Sequence, residues 1–284
     1  TQRWLGCMGE RNMKTLRVLS LGAGVQSTTL ALMIEKGEIP MVDAAIFSDT
    51  GAEPKAVYDH LDWLETQLSY PIHRTQWRSL KKDIIYAALG ENDSFSAPFF
   101  TLNSKTGKKG MLMRQCTRDY KILPLYRKLK RLMGYRWRQH VNKKKWHAEV
   151  LIGISSDEMQ RVKENKLPYA SNVYPLIEKD ISRAQCLEWM KKNNYPEPPR
   201  SACTFCPYHS NKEWLDLKKN KDEWDEIVKI DELIRYADMQ KENKITGQLF
   251  LHQSCTPISQ AKLVNKKNDL QFSFDDECEG MCGN

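Results

Sequence analysis

Short runs of β-branched and aliphatic residues alternate along this chain with segments whose apolar positions recur at helical spacing. Residues 15–20 (TLRVLS) form the first apolar run, and a small-residue turn from Leu21 to Gly24 separates it from helical periodicity over 27–36. A second apolar run at 42–48 (VDAAIFS) precedes an amphipathic helix over 54–67, and 71–75 reads as a third strand. Helical spacing returns at 119–132, and 150–154 (VLIGI) predicts a strand ending on glycine. Helices over 182–193 and 211–219 then bracket a proline-rich link (YPEPP) and a CxxC. Strands alternating with helices predict an α/β fold with a doubly wound, mostly parallel sheet and a cysteine-containing C-terminal extension. Residues 91–110 are polar and aperiodic, which predicts a long loop or lid.

With 284 residues, 40% of them hydrophobic, the chain can bury one sizeable core. The reading divides it into a leader (1–14), an α/β domain (15–200) with a basic insertion (127–147), and a region (201–284) holding the CxxC, further helix and a tail with two cysteines. A mean hydropathy of −0.63 and no apolar run near membrane-spanning length argue against a membrane segment. The first 14 residues lack a signal peptide's apolar stretch, so a cytoplasmic protein is expected. Eight cysteines in such a chain read as thiols or metal ligands rather than bridges. The net charge of +8 favours a polyanionic substrate or partner.

Between the first strand and helix lies Ser20-Leu21-Gly22-Ala23-Gly24-Val25-Gln26-Ser27-Thr28. Backbone amides and a helix N-terminus there can cradle phosphate, with the glycines permitting close approach. It is neither a Walker A loop, since no lysine follows the last glycine, nor GxGxxG. The bland alternative is a plain turn with an N-capping serine. The run resembles the PP-loop, SGGxDS, of N-type ATP pyrophosphatases and phosphoadenylyl-sulfate (PAPS) reductases, with Gln26 in place of the usual aspartate.

Further segments resemble the PAPS reductase family in the same order. Asp49-Thr50-Gly51, followed by Glu53, resembles its DTG segment. The stretch from Gly153 to Arg161 resembles its G-x-R-x-x-E-S-x-x-R motif, with Gly153, Glu158 and Arg161 matching and Ser155 replacing the first arginine. The resemblance runs from about Leu16 to Tyr208. It implies that Ser20, Gly22, Ala23, Gly24, Gln26, Ser27 and Thr28 hold ATP or a related adenine nucleotide. It further implies that Asp49, Thr50, Gly51 and Glu53 contact that nucleotide or its Mg2+, together with Gly153 and Glu158, and that Arg161 steadies developing negative charge.

Cys203-Thr204-Phe205-Cys206 is half a zinc site, half an iron–sulfur site or a redox pair. The segment Arg114-Gln115-Cys116 through Lys121 to Pro124-Leu125 resembles that of adenylyl-sulfate reductases, whose cysteine pair joins a CxxC to hold a [4Fe–4S] cluster. By that resemblance Cys116, Cys203 and Cys206 are metal ligands, with Cys282 or Cys278 as the fourth or with the fourth iron open. His209 keeps zinc as an alternative. The tail's Glu277-Cys278-Glu279-Gly280 resembles the ECGLH of sulfonucleotide reductases, which makes Cys278 a candidate nucleophile. Cys7, Cys186 and Cys255 read as structural.

From Arg127 to His147 the chain carries Arg127, Lys128, Lys130, Arg131, Arg136, Arg138, Lys143, Lys144 and Lys145, with Tyr135, Trp137 and Trp146 between them. Charge with aromatics suits a nucleic-acid surface, although a solvated helix with core tryptophans has the same composition. Three readings follow. One is a PP-loop enzyme that adenylates a nucleic-acid or nucleotide acceptor, releases pyrophosphate and inserts sulfur, similar to the sulfur-inserting enzymes of DNA phosphorothioation. A second is a PAPS or adenylyl-sulfate reductase using Cys278, and a third is a nucleic-acid-binding relative without chemistry. A sulfur-donor or electron-donor protein is an expected partner of the enzymatic readings.

Overall fold

The computed structural model describes residues 13–91, 95–237 and 247–264. In chain order these form β1 (Lys14–Leu21), α1 (Val25–Glu35), β2 (Ala44–Ser48), α2 (Lys55–Glu65), β3 (Ile72–Thr75), α3 (Leu80–Ala88), β4 (Phe100–Leu102) and β5 (Lys109–Met111). A π-helical stretch, Thr117–Ile122, then leads into α4 (Leu123–Leu132), β6 (Trp146–Ile152) and a 3-10 segment, Ser156–Arg161. After these come β7 (Ala170–Val173), α5 (Pro175–Glu178), α6 (Arg183–Lys192), α7 (Asn211–Leu217), α8 (Lys221–Arg235) and β8 (Gln248–Phe250).

Five strands make a parallel sheet in the order β3-β2-β1-β6-β7, so β1 lies at its centre. Strand alternation sends successive side chains to opposite faces, and in β1 both faces are apolar. Leu19 and Leu21 join Ala45, Phe47 and Leu151 in a cluster with α1, α2 and α6. Leu16 and Val18 join Ile46, Val150 and Ile152 in a second cluster with α4. Coverage on both faces is what a parallel sheet needs, and it makes the expected doubly wound α/β architecture an observed one.

Differences from the sequence reading have local causes. The stretch expected as an aperiodic loop contains β4 and β5, which pair antiparallel and join β8 in a second, three-stranded sheet. Each strand is only three residues long and β4's second partner lies far along the chain, so no periodicity announces them. The helix expected from 119 begins instead as a π-helical turn. Pro124 lies at its junction with α4, and a proline ring there presses on the carbonyl one turn back, which the wider turn relieves. The sequence pattern does not predict α3, β7 or α8, although Ser79 caps α3 and Asn220 caps α8 through their side chains. Among the described residues no helix is long and apolar enough to cross a membrane.

A third apolar cluster joins α3, Phe95, Phe99 and Tyr120 to Trp214, α8, Leu249 and Leu251, with Cys203 inside it. Asp231, 1% exposed on α8, fastens this unit. It accepts hydrogen bonds from the N–H groups of Leu251 (3.0 Å) and Ile258 (2.9 Å) and pairs with Arg235. Asp231→Ala is expected to cost about 3 kcal/mol in chemical denaturation, because two buried N–H groups and one guanidinium lose their acceptor together.

Candidate functional site

The carboxyl ends of β1, β2 and β6 converge at one edge of the sheet. β1 delivers Ser20 and Leu21 into the loop 22–24, and α1 begins at Val25. Ala23 takes a left-handed conformation, φ 60°, while fully buried, a posture an L-residue holds at a cost of about 1 kcal/mol. Ser27 closes the loop: its Oγ accepts from the Gly22 N–H (3.2 Å) and donates to the Gly24 carbonyl (3.4 Å). Gly24 is the N-cap and supplies no capping side chain, so the first-turn N–H groups of α1 keep the orphan character that attracts anions. Gln26 is fully buried, and neither end of its amide finds a hydrogen-bond partner among the described residues.

Gly153, at the end of β6, has a packing role in this arrangement. A Cβ there would lie 2.8 Å from both the N and Cα of Ser27, so only glycine lets the first turn of α1 press against the loop after β6. Gly51, at φ 70°, is needed twice over, because an added Cβ would also collide with Gln76 and Ser79. Asp49 shapes that turn. Its Oδ1 accepts from the Gly51 N–H (2.7 Å) and from the Tyr58 hydroxyl (2.8 Å). Burial and this bond to Asp49 hold the Tyr58 phenol well above its ordinary pKa, so it stays a donor.

Glu53 and Lys121 form a buried ion pair (3.5 Å) between the loop after β2 and the π-helical turn. Thr50 donates to Glu53 Oε1 (3.1 Å) and lies 3.4 Å from the Cys203 sulfur. Thr204 N–H donates to the Ala52 carbonyl (2.8 Å), docking the CxxC onto the same loop. A small cleft opens here, lined by Ser20, Leu21 and Gly22 of the first strand and loop, Ile46, Phe47 and Ser48 of β2, and Lys121 and Leu125. Arg161 does not line this cleft; it is buried in an ion pair with Glu158 (2.9 Å). Lys121, Tyr58 and His60 carry no assignment in the sequence reading. Lys121 stands in the very segment compared for its cysteine, which was its one available signal.

Cys116, Cys203 and Cys206 all pack on the third apolar cluster. Among the described residues, however, no three His, Cys, Asp or Glu side chains are grouped to hold a metal. No chemical step is therefore derived through a [4Fe–4S] cluster or a structural zinc. His209 is directed elsewhere: Nε2 bonds the Cys203 carbonyl (2.8 Å) and Nδ1 faces Glu213 (3.8 Å). Burial works against the Glu213 charge, yet His209 and Arg200 hold its carboxyl far below the usual range. Cys278 and Cys282 lie outside the described residues.

Fold and site together define an α/β protein whose parallel sheet presents a glycine-containing loop that leads into a helix, with Gly22 of the loop and the buried Lys121 lining one cleft. No family model and no curated protein sequence matches the chain. Among solved structures it is similar to the phosphoadenylyl-sulfate (PAPS) reductase from Candida auris in its phosphate complex. The identity is 15% and the TM-score 0.41, covering 65% of this chain and 74% of that one.

Gly153→Ala is expected to force α1 away from the loop after β6 and to lower stability by about 2 kcal/mol, measured by urea denaturation. A second expectation concerns His60, whose ring lies 3.1 Å from the Thr28 hydroxyl beneath the loop. Burial lowers its pKa from 6.5 to about 4. The unfolded chain therefore binds the extra proton first as pH falls. Stability is full above pH 6.5 and is lost as pH drops toward 4, by about 2 kcal/mol between pH 7.5 and 5. His60→Gln should flatten that slope in paired urea titrations.

Proposed function

We propose that this chain is a PP-loop enzyme of the PAPS-reductase-like class that binds ATP or a related adenine nucleotide. In this reading it adenylates an acceptor oxygen and then exchanges the adenylate for sulfur. The observation that carries the reading is the loop 22–24 on the central strand, closed by Ser27 and backed by the buried amide of Gln26. The phosphates lie over the N-terminus of α1, where first-turn amides and the helix dipole stabilise negative charge. Lys121, on the wall of the same cleft, adds an ammonium group already balanced by Glu53. Asp49 Oδ2 and Glu53 Oε2 take no hydrogen bond among the described residues, and they are the carboxylate oxygens this reading assigns to a Mg2+ carried by the nucleotide.

The acceptor oxygen attacks the α-phosphorus, the bond to the bridging oxygen breaks, and pyrophosphate leaves with the electron pair. Sulfur entering at the sulfide level then displaces AMP, so the sequence needs no oxidant. The protein's part is electrostatic: loop amides and Lys121 stabilise charge that grows on the phosphates. Arg161 serves this reading by holding the segment after β6 through Glu158. A metal centre built on Cys116, Cys203 and Cys206 needs a ligand from beyond the described residues, such as Cys282. Iron, zinc and labile-sulfide analysis of the anaerobic protein and of Cys203→Ser decides that assignment.

Gly24→Asp separates nucleotide binding from folding. Aspartate is a favourable N-cap, so the variant should keep or gain thermal stability while its carboxylate occupies the phosphate position. Calorimetry with ATP is expected to show binding by the parent and none by the variant; equal affinity in both would remove the loop from the site. Acceptor-dependent exchange of labelled pyrophosphate into ATP supports adenylation, whereas sulfite release from PAPS or adenylyl sulfate without exchange replaces it with the reductase reaction.

A further inference from the structure

Residues 127–147 hold nine lysines and arginines and no acidic residue, so this stretch alone exceeds the net charge of +8 of the whole chain. Among the described residues none of the nine pairs with a carboxylate. Elsewhere in the molecule several arginines do have carboxylate partners, as in Arg17–Glu149, Arg74 with Asp62 and Glu65, and Arg200–Glu213. Concentrated, unneutralised charge costs self-repulsion that a bound polyanion relieves.

The aromatics within this stretch divide into two kinds. Tyr135 and Trp146 pack against the apolar cluster on the α4 face and are core residues. Trp137 is 38% exposed and Trp77, in the turn after β3, is 53% exposed; the guanidinium of Arg127 lies over both indoles. Arg127 Nε and Nη1 are buried there without a hydrogen-bond partner among the described residues. Lys130 donates to the carbonyls of Trp137 (2.7 Å) and Gln139 (2.8 Å), which pins the following loop to α4 and keeps the stack in place. Leu125, on the same helix as Arg127, lines the cleft, and Gln76, next to Trp77, lies against Gly51.

We propose that this ridge docks an unpaired stretch of nucleic acid, with phosphates along the exposed cations and a base stacked on Trp77. Exposed indole surface beside unpaired cations suits single strands, because a duplex keeps its base faces covered. The inference rests on the proposed function in treating the strand as the acceptor led toward the cleft; binding itself is independent of nucleotide chemistry.

The test is fluorescence anisotropy with a labelled single-stranded DNA, the same sequence as RNA, and its duplex, over a salt series. Single strands should bind more tightly than duplex. The triple variant K143A/K144A/K145A should lower the slope of log affinity against log salt by about 2. Trp77→Ala should weaken single-strand binding about 10-fold with the salt slope unchanged, and Trp77→Phe should restore most of it. Trp77 is half exposed, so circular dichroism of these variants should match the parent. Equal affinity for duplex with a silent Trp77→Ala, no oligonucleotide binding at low salt, or preference for phosphatidylserine vesicles would each overturn the proposal. ATP calorimetry on the same proteins separates the two readings. Intact ATP binding without oligonucleotide binding removes the ridge alone, and oligonucleotide binding by a parent without ATP affinity removes the nucleotide site alone.

Discussion

The approach of α1 to the end of β6 is the contact on which this structure turns. Gly153 lets the backbone of Ser27 come within a distance that any Cβ would forbid. The first ten residues of α1 are buried, as in helices at the centre of a domain. The close approach also brings the loop 22–24 into the middle of the sheet's carboxyl edge, where order along the sheet reverses from the β2 side to the β6 side. Open α/β sheets bind ligands at such reversal points because the connecting loops diverge there and leave a crevice.

Around that contact, polar groups are buried in pairs that link separate parts of the chain. Lys121 from the π-helical turn meets Glu53, Glu53 accepts from Thr50, and Thr50 touches Cys203. One row of contacts thus connects the cleft wall to the CxxC. Burying a lysine and a glutamate together is weakly stabilising at best, since desolvation offsets most of their attraction. Their value is positional: neither can leave without stranding the other, so the π-helical turn, the loop after β2 and the cysteine segment stay in one register. Asp231 does the same for α8 and the chain around β8, with two backbone N–H groups beside the Arg235 charge.

The charge of the molecule is arranged with the same economy. Several arginines, Arg17, Arg74 and Arg200 among them, sit beside carboxylates, while the nine cations of 127–147 pair with none among the described residues and Arg127 stacks on two indoles. Trp77 belongs to this surface although it lies fifty residues before Arg127. Its membership follows from α4 packing across β2 and β3, which carries Arg127 to the turn after β3.

The sequence by itself determined the alternation of buried strands and helices, the parallel sheet and the loop at its centre. Those features are written in short-range periodicity and small residues, which act through local sterics and burial. The order of the segments at Gly22, Asp49 and Gly153 was read instead from their resemblance to a known family's motifs. Only the tertiary structure decided which residues share the cleft. Lys121 reaches Glu53, and β4 finds β8, across distances in sequence that carry no periodic signal. The tertiary structure also assigned Gly153 to packing, turned His209 toward a carbonyl and Glu213, and separated core aromatics from exposed ones. Those outcomes depend on which surfaces meet, and a list of residue types does not contain that information.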